Sequence, residues 1–146
     1  MAKKNHLRIF SVAEANEVIV ELRRTLPAMR TALKQMEVME DRLAVLELIC
    51  NRAVSADNPD LREFIATKIR YHRKVAEFEG MWQGVEDMGV LIQDLEKGMV
   101  HFASKRGQQS IFLCWREGEA AVTHWHDSQE QVSEEPDRKR IDWKAK

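Results

Sequence analysis

The residues of this chain best suited to chemistry lie close together near its end. Leu113-Cys114-Trp115-Arg116-Glu117-Gly118-Glu119 is followed by Thr123-His124-Trp125-His126-Asp127, a pattern that reads as a β-hairpin turning at Gly118. In a strand, residues two apart share a face, so His124 and His126 project together. Two imidazoles on one face can hold a divalent transition metal, with a third ligand from Asp127, His101 or Cys114. The candidate metal set is therefore led by His124, His126 and Asp127. The hairpin register decides what Cys114 does. If Gly118-Glu119 is a two-residue turn, Cys114 faces Thr123 and lies on the sheet face opposite both histidines. A one-residue slip moves it to their side. The competing reading makes all of these ordinary, partly exposed sheet residues.

The remaining members of the patch are Cys114, Trp115, Arg116, Glu119 and Trp125. A histidine beside Cys114 would activate it as a nucleophile. No orienting carboxylate or oxyanion hole stands at readable spacing, and a lone Cys between Leu113 and Trp115 suits a small core residue. No catalytic residue is assigned. Arg116, Glu117 and Glu119 flank a turn, where surface ion pairing is the ordinary outcome. Trp115 and Trp125 are expected to anchor the sheet to the rest of the molecule.

The elements that must position this hairpin are mostly helical. Ser11 followed three residues later by Glu14 is a capping box, so a helix is expected from about Val12, with Phe10 as a staple. Pro27 either kinks that helix or starts a second one. Beyond it Met29, Leu33, Met36, Met39, Leu43, Leu46, Cys50 and Ala53 continue a helical stripe, read as core. Ser55-Ala56-Asp57-Asn58-Pro59-Asp60 is a turn cluster. A second helix is expected from about Leu61 to Met88, with Phe64, Tyr71, Val75, Phe78, Trp82 and Val85 on its stripe. The short link makes the two helices antiparallel neighbours. Gly89 ends the second helix, and the period then changes to two. Val90–Leu95, Met99–Ala103, Ser110–Arg116 and Ala121–Trp125 read as strands. The stretch from Ser128 to Lys146 is polar and reads as a flexible tail, tied down at most by Ile141 and Trp143.

Composition narrows the function classes. The chain has 146 residues with a net charge of −1, which gives no basic excess for general nucleic-acid binding. Its two cysteines, Cys50 and Cys114, have no metal-type Cys-x-x-Cys spacing and imply no disulfide framework. No run approaches the roughly 20 apolar residues that span a bilayer, and no signal peptide is legible. The expectation is a soluble cytoplasmic protein with reduced thiols.

Three blocks carry a family resemblance. Phe10-Ser11-Val12-Ala13-Glu14-Ala15-Asn16-Glu17 resembles the opening of the bacterial family called domain of unknown function 2203. Gly89-Val90 through Asp94-Leu95-Glu96-Lys97-Gly98-Met99-Val100 is similar to its middle segment. Leu113-Cys114-Trp115-Arg116-x-Gly118-Glu119 with Trp125-His126-Asp127 looks like its C-terminal signature. The resemblance runs from about Phe10 to Asp127. That family has no assigned activity, so the resemblance implies no substrate or cofactor. The family tends to follow its Trp-His-acid with a Gly-Phe-x-Gly-Arg-x-Pro-type segment, whereas Ser128-Gln129-Glu130-Gln131-Val132-Ser133 stands here.

Together these readings predict an α+β protein: a long antiparallel, coiled-coil-like helical hairpin at about residues 11–89, followed by a small antiparallel β-sheet at about 90–127. Residues 1–127 are expected to form one domain. A two-helix hairpin cannot cover its own broad apolar stripes, which predicts a homodimer through helix faces. The expected role is a non-enzymatic interaction or scaffold protein, against a rival metal-binding protein or metal-dependent enzyme centred on the hairpin. Nucleic acid and membrane are not expected partners.

Overall fold

The computed structural model describes residues 8–50, 58–128 and 138–143. Helix α1 spans Val12–Cys50 and helix α2 spans Pro59–Asp87. Strands β1 (Val90–Asp94), β2 (Met99–Arg106), β3 (Gln109–Arg116), β4 (His124–Asp127) and β5 (Lys139–Arg140) follow. They form one antiparallel sheet in the order β1-β2-β3-β4-β5. This is the expected α+β arrangement of two long helices and an antiparallel sheet.

The capping box forms as its residue types require. The Glu14 N–H donates to Ser11 Oγ at 3.1 Å, and the Ser11 N–H donates to Glu14 Oε1 at 3.0 Å. The hydrogen bond from Ser11, with Arg8 nearby, holds the Glu14 carboxyl below its ordinary range. Pro27 lies inside α1 without ending it. α2 begins at Pro59, two residues before the expected Leu61, because a proline fits the first helical turn where no N–H is needed. The turn cluster ahead of Asn58 and the end of the α1 stripe at Ala53 fall outside the described residues.

The chain divides into two compact units, Met1–Leu26 with Gln83–Lys146, and Pro27–Trp82. Among its described residues, the second holds the antiparallel helices. Arg42 pairs bidentately with Glu63, and the Tyr71 hydroxyl donates to Glu40. Buried in this unit are Met29, Ala32, Leu46 and Thr67.

In the first unit, one face of the sheet carries Val90, Val100, Phe102, Ile111, Leu113, Trp115 and Trp125, which the strand registers place side by side. The start of the chain packs here. The Phe10 ring meets Phe102 edge-on at 5.1 Å, and the Phe10 N–H donates to the Ala103 carbonyl at 2.8 Å. Ala15, Ile19, Leu22 and Leu26 of α1 are fully or almost fully buried in the same unit. Gly89 closes α2 at φ +86°, and a Cβ there would lie 2.8 Å from that of Arg8. The stretch read as a polar tail supplies β5, beside which Trp143 packs on Trp125. The Arg106 guanidinium lies 5.2 Å from each of those two rings.

Candidate functional site

The opposite face of the sheet carries the chemistry-bearing residues. On β2, His101 alternates with Val100 and Phe102 and so points away from them. On β3, Cys114 pairs across with His101 on one side and with His124 on the other. On β4, His126 pairs with Phe112. Cys114, His124 and His126 therefore share one face with His101.

The register that achieves this differs by one residue from a hairpin closed by Gly118-Glu119. Cys114 stands opposite His124 rather than Thr123. The cause lies in the connection between β3 and β4. Two of its backbone groups bond to α1: the Val122 N–H donates to Asn16 Oδ1 at 2.7 Å, and the Ala120 carbonyl accepts from Arg23 at 2.7 Å. Glu119 folds back so that its carboxylate accepts the Arg116 N–H at 2.7 Å. Held this way, residues 117–123 form a longer loop, β4 begins at His124 rather than the expected Ala121, and the pairing shifts by one residue.

Three ligand atoms, one each from His101, Cys114 and His126, lie within 4.8 Å of one another. Cys114 Sγ is 2.7 Å from His126 Nδ1, and the rings of His101 and His126 meet edge-on at 4.5 Å between centroids. Phe112 packs beside both imidazoles. All three residues are buried, at 3%, 1% and 0% exposure in chain order. His101 Nε2 is buried with no hydrogen-bond partner among the described residues. Burial first, then the neighbouring His126 and Arg138, pushes the His101 pKa down to about 3, so the ring is neutral with a lone pair at neutral pH.

This donor set has the chemistry of a transition-metal site. Neutral imidazole and thiolate suit zinc, copper and iron, and not the hard cations magnesium and calcium, which demand oxygen ligands. Bonds of about 2.0–2.1 Å to nitrogen and about 2.3 Å to sulfur, at tetrahedral angles, set N and S about 3.5 Å apart. The Cys114–His126 pair needs to open by less than ~1 Å to reach that geometry.

The other residues singled out in the sequence fall around this cluster. His124 Nδ1 lies 2.9 Å from Thr123 Oγ1 and 3.6 Å from a Glu119 carboxylate oxygen. Asp127 accepts from the Gln109 side chain at 3.0 Å, away from the three ligand atoms. Glu119 also receives Arg138 at 2.7 Å. Trp115 is fully buried on the opposite face, its Nε1–H donating to the Glu119 carbonyl. Trp125 lies on that same opposite face, and the Arg116 side is exposed. His101 entered the sequence reading only as one of several third ligands. The signal that singles it out is Gly107, whose φ of +61° makes Gly107-Gln108 a two-residue turn and so sets His101 opposite Cys114.

Fold and site together define an α+β protein whose sheet carries a buried His-Cys-His cluster. Residues 8–141 match the model of an uncharacterized conserved protein family, DUF2203, and the chain belongs to that family. No curated protein and no solved structure matches the chain.

Proposed function

We propose that this protein binds a transition metal through His101, Cys114 and His126, and that the bound ion serves the structure of a non-enzymatic interaction protein. The observation that carries the reading is the convergence of three buried donors, from three adjacent strands, to within 4.8 Å. Burying a polar group is costly unless it is partnered, His101 Nε2 has no hydrogen-bond partner among the described residues, and a metal would supply one. The alternative use of Cys114 as a nucleophile is disfavoured by its burial, which leaves a substrate no approach. The test is the metal content of tag-free protein purified without chelator. The expected result is near-stoichiometric zinc, copper or iron in the wild type and its loss in His126→Ala and Cys114→Ser. Metal-free wild type that also refuses reloading would reject the proposal.

A second reading concerns the helices. The unit Pro27–Trp82 leaves Val38, Val45, Leu48, Ile49, Ile65 and Ile69 exposed. A second copy of the chain is the simplest cover for these exposed apolar side chains. A homodimer through these helix faces is the working unit of the proposed scaffold role. Among the described residues, no helix is long and apolar enough to cross a membrane. A cytoplasmic setting, in which a thiolate ligand stays reduced, fits the proposed site.

A further inference from the structure

Resting on the metal reading above, we infer that the site is built for copper in its cuprous state, held by His101, Cys114 and His126 in a three-coordinate shell without water. The number of donors supplies the first argument. Among the described His, Cys, Asp and Glu residues, the ligand atoms that converge are these three. The remaining candidates on the hairpin are turned to other partners. His124 Nδ1 lies 2.9 Å from Thr123 Oγ1 and 3.6 Å from Glu119, the Glu119 carboxylate takes Arg138 at 2.7 Å, and Asp127 takes the Gln109 side chain at 3.0 Å. Zinc is almost always four-coordinate in structural sites, and in catalytic sites it fills the missing position with water. Here the three donors are buried, and the Phe112 ring packs beside both imidazoles, an apolar wall that offers water no partner. A cuprous ion, with its filled d shell, is satisfied by three donors.

Charge supplies the second argument. Metal-ligating imidazoles are neutral, so the Cys114 thiolate is the one charged donor of the three. A cuprous ion cancels that charge and the buried site becomes neutral. A divalent ion leaves one net positive charge, which is costly away from water unless a further anion offsets it. The carboxylate on this hairpin best placed to do so, that of Glu119, is already paired with Arg138.

Donor chemistry agrees with both. Thiolate is among the soft ligands that select copper(I), imidazole suits copper equally, and two His with one Cys is a donor set that copper takes in trigonal sites. The rival is a four-coordinate divalent ion, zinc or iron(II), that recruits water or a small anion as its fourth ligand.

Metal-stripped, full-length protein separates these outcomes when it competes for copper(I) with the chromophoric chelator bicinchoninate, under ascorbate and without air. Near-stoichiometric uptake is expected, and zinc at about a hundredfold excess is expected to displace none of the copper. X-ray absorption of the loaded protein is expected to show three-coordinate cuprous copper with two nitrogens and one sulfur. His101→Phe and His126→Ala are each expected to weaken uptake at least tenfold, while Cys50→Ser leaves it unchanged. Displacement by zinc, or a fourth ligand on copper, overturns the inference and leaves the three-ligand site standing. Those two measurements need no variant, so misfolding of a histidine variant cannot mask them. Uptake that neither histidine variant weakens marks adventitious binding to a thiol and also overturns the inference. Wild type that binds neither copper nor zinc overturns the three-ligand site as well.

Discussion

Among single residues, His101 makes the clearest prediction. Its imidazole is buried and neutral in the folded chain, with a pKa of about 3 against the ordinary 6.5. Between those values the unfolded chain binds a proton that the folded chain refuses. Stability contributed at this position is complete above about pH 6.5 and falls as the pH is lowered towards 3, by up to about 1.4 kcal/mol per pH unit. Denaturant titrations of metal-free protein between pH 7 and pH 5 should show the decline, and His101→Phe should flatten it. At His101 itself, protons should compete with a bound ion only as the pH approaches 3, because above that the folded ring carries no proton to displace.

Secondary-structure elements carry predictions that owe nothing to metal. Ser11→Ala removes one half of the capping box at the start of α1, and a loss of about 1 kcal/mol is expected from denaturant midpoints. Gly98 closes the β1–β2 turn at φ +68°, and a Cβ there would lie 2.6 Å from that of Glu117. Gly98→Ala therefore adds a steric clash to an unfavourable backbone conformation, and should cost more than the roughly 1 kcal/mol of an ordinary glycine site. An unchanged melting temperature in that variant would count against the loop packing described. Pro27 interrupts the hydrogen-bond ladder of α1 without ending the helix, and it falls at the boundary between the two compact units. Pro27→Ala is expected to raise thermal stability, by up to ~3 kcal/mol if the helix relaxes freely.

For the molecule as a whole, association and metal loading are the measurable quantities. Light scattering at micromolar concentration should report a homodimer, and Val45→Glu with Leu48→Glu should shift it to monomer. Monomeric wild type would remove the case for the helix faces as an interface. Because a metal held by folded protein stabilises that state by mass action, zinc at a thousandfold over its dissociation constant should add about 4 kcal/mol. The melting temperature should rise accordingly in the wild type and stay fixed in Cys114→Ser.

Much of this architecture was legible in the sequence because it rests on local signals. The capping box at Ser11 and Glu14, the helical stripes, Gly89 as a stop and the switch to a period of two are each decided within a few residues. The presence of Cys114, His124 and His126 on one short hairpin was equally plain. Their grouping was not, because it depends on where β3 and β4 come into register. That register is set by Asn16 and Arg23, which lie about a hundred residues earlier and hold the backbone of the connecting loop. One residue of slip moves every side chain of a strand to the other face. The sequence by itself thus determined which elements form and which residues are available for chemistry. Only the tertiary structure decided that His101 and Cys114 join His126 in a buried cluster, because a pairing fixed by distant hydrogen bonds leaves no trace in local spacing.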